Sequence, residues 1–278
     1  MTENVSNPPF LFPPFQKGGI RGDFPLCKRG IQGDFFVIAC PHAPTLRRSR
    51  YRRGSRPLLN AKFNMSNIRI EKGFLKRPHY LFSKISDTDD PHQFLNEYEI
   101  KVYNSYKIPK RKKEWLCSRI SAKKLISSLL KIPFKSIIIK NDEDRKPYAI
   151  AGGKKFYISI SHRKDLAAVA INYDFSPYIG IDVETCDFIN KEMLSDFMSE
   201  RELSNTDDKI IEIWCIKESI LKMCGKGLSL SAKDIEYKSN NLLIKDGLLD
   251  VLNAYKISKI YYETFKTDDY VISLCSGG

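Results

Sequence analysis

The chain has 278 residues, of which 42% are apolar and 28% charged, a globular composition that excludes wholesale disorder and suggests about two domains. No run of 18 apolar residues occurs, so the sequence offers no spanning helix. Lys and Arg number 46 against 33 Asp and Glu, a formal charge of +13, which calls for a polyanionic partner such as nucleic acid, a membrane surface, a phosphate-rich ligand or an acidic protein. The seven Cys form no CxxC pair and read as reduced, mostly buried thiols of a cytosolic protein.

The charge is unevenly spread. Residues 1–64 hold eleven Lys/Arg and three Asp/Glu, a net of +8, with eight of the fourteen Pro. Residues 65–278 hold 35 basic and 30 acidic residues, a net of +5. The first segment contains a repeat: Lys17-Gly18-Gly19-Ile20-Arg21-Gly22-Asp23-Phe24 returns as Lys28-Arg29-Gly30-Ile31-Gln32-Gly33-Asp34-Phe35. Two copies are too few for a solenoid. An arginine cluster, Arg47 to Arg53, follows. It reads as a solvated tail or a nucleic-acid arm. The segment also resembles a translated intergenic repeat, and globular patterning begins at Met65. Residues 1–64 are therefore expected to be a disordered or mis-annotated N-terminal extension. Residues 65–175 would form an N-terminal subdomain and 176–278 a C-terminal one.

From Met65 onward the pattern is readable. Tyr80 to Ile85 alternates as a strand. Pro91 opens a helical stretch that Pro109 interrupts, and a second helix is expected over about 110–130, stopped by Pro133. Ser136 to Ile139 is β-rich, and Asn141 to Pro147 is a polar turn. Phe156 to Ser161 and Ala167 to Tyr173 read as strands joined by a turn that carries His162. Tyr178 to Val183 is the next strand. Helices are expected over about 190–204 and 207–224, and strands near 234–238, 242–245, 259–265 and 269–275. Two similar runs of strands and helices make an α+β pattern.

Four groups of residues carry possible chemistry. In Gly180-Ile181-Asp182-Val183-Glu184, residues two apart on a strand share a face, so Asp182 and Glu184 point together. Such a pair suits a hard cation such as Mg²⁺, or it is simply two solvated acids. Further along, Trp214, Glu218 and Lys222 share a helix face, while Ile213, Ile216 and Ile220 form the buried stripe. Glu218 with Lys222 is a common stabilising surface pair, or a carboxylate and an ammonium set for a metal-bound diphosphate. Lys217 and Lys226 are expected to add positive charge there, and Gly225-Lys226-Gly227 stops the helix. Ser161-His162 can contact a phosphate, serve as acid or base, or cap a turn. Arg145-Lys146-Pro147-Tyr148 offers two cations and a rigid turn for a phosphorylated nucleotide, or a solvated loop.

Taken in order, RKPY, SISH, GIDVE and WCIKESILKMCGKGLSL resemble the motifs of the Sfp-type 4′-phosphopantetheinyl transferases, across roughly 120 residues. Phe197, Glu200 and Glu202 resemble that family's acidic helix before the last motif. Arg145 stands where the family has Gly, and Arg163 follows the histidine where a small residue is usual; this arginine adds a possible phosphate contact. The resemblance implies two α+β pseudo-repeats related by a pseudo-twofold axis, with coenzyme A in the cleft between them. It implies Asp182, Glu184 and Glu218 as Mg²⁺ ligands, Lys222 on the diphosphate, and Ser161 and His162 on the coenzyme A phosphates. Arg145, Lys146 and Pro147 would line the adenine side, with Lys110, Arg111 and Arg119 as candidates for the 3′-phosphate. The implied reaction moves the 4′-phosphopantetheine arm from coenzyme A to a serine of an apo acyl or peptidyl carrier protein and releases 3′,5′-ADP. Glu218, Lys222 and His162 would be the catalytic groups, with Glu218 or a water it holds as the base. The expected partner is an acidic helical carrier protein. The enzyme is expected to be a cytoplasmic monomer, with neither membrane nor nucleic acid as partner. The alternatives are a metal-dependent nuclease and a nucleic-acid-binding protein.

Overall fold

Short polar caps, prolines and one glycine decide where the helices begin and end. The computed structural model describes residues 35–38, 68–85, 90–187, 190–226 and 229–278. The first half runs β1 (Phe35–Ile38), β2 (Arg69–Lys72), β3 (His79–Lys84), α1 (Pro91–Phe94), α2 (Glu97–Ser105), α3 (Pro109–Leu130), β4 (Ile138–Asn141), β5 (Pro147–Ala151), β6 (Lys154–Tyr157), β7 (Ser159–Arg163) and β8 (Leu166–Ile171). The second runs β9 (Ile179–Thr185), α4 (Lys191–Leu194), α5 (Glu200–Leu203), α6 (Asp207–Cys224), β10 (Ile235–Lys238), β11 (Asn241–Ile244), α7 (Asp246–Ala254), β12 (Lys259–Lys266) and β13 (Tyr270–Gly277). The chain is an α+β protein, as expected.

The two halves repeat one plan. Strands β3, β8 and β7 lie side by side in one antiparallel sheet, and β9, β13 and β12 follow the same order in another. Each first strand leads to a short helix with a capping box, Asn96 with Glu99 in α2 and Ser199 with Glu202 in α5. Each box then leads to a long helix, a 3₁₀ turn (Phe134–Ser136 or Ala232–Asp234) and a β-hairpin. The glutamate of each box also holds a buried lysine of the long helix. Lys123 stands 2.5 Å from Glu99 and Lys217 stands 2.8 Å from Glu202, with all four side chains at most 1% exposed. The same glutamates accept a backbone N–H from the hairpin, that of Ile139 or Tyr237. Burial of a charge demands such full satisfaction, and the duplication of this network marks the halves as copies. Strand β2 crosses over, pairing parallel with β12 in the second sheet. Strand β1 lies at the edge of the first sheet, antiparallel to β3; the remaining residues expected to form the N-terminal extension lie outside the described residues.

Alternation along the strands sets the layers. In β8, Ala168 and Ala170 face the second sheet, whereas Val169 and Ile171 face α3. In β9, Ile179, Ile181 and Val183 join the core between the sheets, which leaves Gly180, Asp182 and Glu184 toward α6. A Cβ on Gly180 would lie 1.8 Å from the carbonyl oxygen of Ser219. Only glycine lets α6 lie this close to β9.

Several boundaries differ from expectation. The stretch 190–204 is two helices, because Ser199 and Glu202 restart the helix after α4. Phe156 to Ser161 spans two strands broken at Ile158, whose N–H turns to the carbonyl of Pro147. Strand β5 and helix α7 were not expected; Gly152 and Gly153, both at positive φ (55° and 73°), turn β5 into β6. His162 sits within β7, opposite Ala167, and not in a turn.

Candidate active site

Strands β7 and β9 and helix α6 meet at Asp182. Its side chain is 5% exposed. Oδ1 accepts hydrogen bonds from Ser161 Oγ at 2.9 Å and Lys222 Nζ at 2.6 Å, and Lys222 Nζ also donates to Ser161 Oγ at 2.9 Å. Oδ2 is buried with no hydrogen-bond partner. Three residues from three motifs thus meet at one point. Glu184, two residues along, accepts from the Trp214 indole at 3.3 Å and pairs with Arg163 Nε at 3.1 Å. Glu218 lies one helical turn before Lys222.

The electrostatics follow from crowding in a partly dry site. Burial pushes Glu218 up to about 7, helped by the charge of Asp182 and opposed by Lys222. Burial and Asp182 also raise Glu184, against the pull of Arg163. For Lys222, burial works against the charge, but the carboxylates of Asp182 and Glu218 outweigh it and hold the ammonium above its ordinary value. His162 Nε2 stands 3.5 Å from Glu114 of α3. Burial and the charges of Lys222 and Lys110 lower it, against Glu114.

Among the described residues no three His, Cys, Asp or Glu side chains are gathered as a ready-made metal cluster. Oxygen donors nevertheless dominate the site. The unpartnered, buried Oδ2 of Asp182, with Glu184 two residues along the same face of β9, suits a hard divalent cation.

Other expected site residues lie elsewhere. Lys146 donates to the carbonyl of Met223 at 2.7 Å and so ties its turn to the end of α6. Arg145 has φ 65°, the left-handed conformation that favours glycine, so the turn keeps its shape despite the substitution. Pro147 opens β5. Lys110 and Arg111 are exposed at the start of α3, with Lys110 in electrostatic reach of His162. Arg119 is not beside them: it is 9% exposed and stacks on Trp115 at 5.0 Å, with Nη2 3.5 Å from Asn141 Oδ1. Lys217 adds no charge to the site, because α6 turns it into the core against Glu202. Lys226 pairs with Asp144, and Gly227 lies outside the described residues. Glu114 and the glycine contact at Gly180 were not anticipated; their signal is spatial, since helix and strand meet only in the folded chain.

Lys146 gives a pH prediction. Burial lowers its ammonium to about 8, against the pull of Cys224 and Asp142. A folded value below the unfolded one penalises the native state while both forms hold the proton. The penalty lifts as pH rises from about 8 toward the unfolded value. The melting temperature of the unaltered chain, measured against Lys146→Met, is expected to improve between pH 7 and pH 9.5. A pH-independent difference would contradict this.

Comparison with known proteins gives two family matches. Residues 178–275 match the 4′-phosphopantetheinyl transferase superfamily, and residues 85–173 match the N-terminal family of 4′-phosphopantetheinyl transferases. The chain is 30% identical over 129 residues to 4′-phosphopantetheinyl transferase Sfp of Bacillus subtilis (strain 168), covering 43% of this chain and 54% of that protein. It is 25% identical over 162 residues to 4′-phosphopantetheinyl transferase gsp of Aneurinibacillus migulanus, covering 53% of this chain and 66% of that protein. It is 31% identical over 87 residues to holo-[acyl-carrier-protein] synthase of Geobacillus sp. (strain WCH70), covering 28% of this chain and 72% of that protein. The match thus spans about half of the first relative and just under two thirds of the second. None of the three is named as a nuclease or nucleic-acid binder. Among the described residues no helix is long and apolar enough to cross a membrane.

Proposed function

The chain belongs to the 4′-phosphopantetheinyl transferase superfamily, and from this premise we propose that it transfers the 4′-phosphopantetheine arm of coenzyme A to a serine of an apo carrier protein. The observation that carries this reading is Asp182, buried with one oxygen unpartnered and the other held by Ser161 and Lys222. Asp182, Glu184 and Glu218 would hold a Mg²⁺ ion, which supplies charge neutralisation to a diphosphate.

The chain's own residues do the rest. Lys222 and Ser161 present an ammonium and a hydroxyl to phosphate oxygens, already fixed in place by Asp182. His162 on the exposed end of β7 adds a third donor. Glu218, one helical turn before Lys222, or a water it holds, takes the proton from the attacking serine hydroxyl. The serine oxygen bonds to the β-phosphorus, and the bond to the bridging oxygen breaks. 3′,5′-ADP leaves, and the arm stays on the carrier as a phosphodiester. The exposed Lys110, in electrostatic reach of His162, and the exposed Arg111 next to it in sequence give a basic rim that favours encounter with an acidic, helical carrier. Lys146, Pro147 and the Arg145 turn would line the adenine side. The protein would act as a cytoplasmic monomer.

Incubation with coenzyme A, Mg²⁺ and a panel of apo carrier proteins, each product then weighed, tests this reading. A carrier gaining the mass of the arm is the expected result; no gain on any carrier sinks it. A chain beginning at Met65 is expected to fold and to catalyse the same transfer. Because β1 pairs with β3, insolubility of that shorter chain, with the longer one folded, would make β1 part of the domain.

A further inference from the structure

Two rungs join β7 to β9. On the first, Ser161 and Lys222 hold Asp182. On the second, two residues further along each strand, Arg163 Nε stands 3.1 Å from Glu184 Oε2. Residues two apart on a strand share a face, so β7 aims Arg163 into the same site as Ser161. The site therefore carries its own cation for each of the two β9 carboxylates.

The two cations are held differently. Lys222 is 29% exposed and bonds both Asp182 and Ser161. Arg163 is 46% exposed and pairs with Glu184 alone. Half-exposed ion pairs contribute little, so this one is readily exchanged. A guanidinium is also the side chain whose fork best matches a phosphate.

We infer that Arg163 is an exchangeable counter-ion. It neutralises Glu184 until a divalent cation takes that carboxylate, and it then turns to the phosphate groups of coenzyme A. This rests on the reading of the site as one for Mg²⁺ and coenzyme A. Competition for Glu184 weakens binding of the metal alone, and the released guanidinium strengthens binding of the phosphate ligand. Arg163 thereby couples the two ligands, reciprocally as linkage requires.

Calorimetric titration of the full chain tests this without measuring turnover. Arg163→Gln should bind Mg²⁺ alone about 2- to 5-fold more tightly than the unaltered chain, the range set by exposed ion pairs. With Mg²⁺ saturating, it should bind coenzyme A about 10-fold more weakly, the scale of one charge-assisted hydrogen bond. Arg163→Lys should restore part of both. A Gln variant unchanged in either constant, or weakened in both, overturns the proposal. If the unaltered chain binds no coenzyme A at all, the functional reading fails and this proposal with it; if it binds coenzyme A and the Gln variant matches it, only the role of Arg163 falls.

Discussion

Asp182→Ala should abolish transfer of the phosphopantetheine arm, with a loss of about 1,000-fold or more, the upper range for removal of one preorganised electrostatic group. Three effects combine. The alanine removes an expected metal ligand, frees the Lys222 ammonium and releases the Ser161 hydroxyl. Because it also leaves Lys222 unpaired in a partly dry site, Asp182→Asn is the companion variant: it keeps the shape and removes the charge. Both should lose turnover, and the asparagine form should keep its melting temperature within a few degrees. Rates are read from the mass of a carrier protein in saturating Mg²⁺. Full turnover by either variant would sink the assignment of Asp182.

Gly180→Ala should be the most damaging single methyl group in the second half. The new carbon would sit 1.8 Å from the carbonyl oxygen of Ser219 and 2.8 Å from the amide nitrogen of Met223, both backbone atoms. Backbone cannot swing aside as a side chain does, so α6 must move off β9. That movement opens the core of Ile213, Ile216 and Ile220. Overpacking costs about 1–3 kcal/mol, occasionally more, and this contact belongs at the upper end. Denaturant unfolding is expected to show a loss of about 3 kcal/mol or failure to fold; a loss below about 1 kcal/mol would show that helix and strand are not locked at this point. Because Glu218 and Lys222 ride on α6, a surviving variant should lose transfer activity as well.

Much of this was legible in the residue order. Period and prolines placed α3, α6 and the closing hairpin of β12 and β13. The alternation in GIDVE put Asp182 and Glu184 on one face and Ile181 and Val183 on the other, as observed. The ordered motifs singled out Lys222, Asp182 and Ser161, but not the hydrogen bonds that join them. What failed was the direction of charges that neighbours decide. Lys217 is one residue before Glu218, and a helix turns about 100° per residue, so adjacency in sequence meant separation in space. The partner that pulls it inward, Glu202, lies on another helix. Arg119 looked like part of a basic cluster with Lys110 and Arg111, yet two and a half turns of α3 carry it under Trp115. Helix α7 is bounded by lysine and tyrosine, with no side-chain cap to announce it. Arg145 shows the converse: a non-glycine residue kept a glycine's conformation because Asp142 accepts its backbone N–H through the turn carbonyl.

The paired Lys–Glu networks of the two halves have a consequence for tolerance to change. Laying Lys123 over Lys217 brings Lys124 to the position of Glu218 and Ser128 to that of Lys222. The architecture is doubled, but the chemistry is single. Positions 124 and 128 carry local contacts, Lys124 over the Phe94 ring and Ser128 to the carbonyl of Leu125, with no counterpart of the Asp182 site. At 218 and 222 the corresponding positions would be fixed by the proposed reaction. The molecule is thus symmetric in what holds it up and asymmetric in what it must not change.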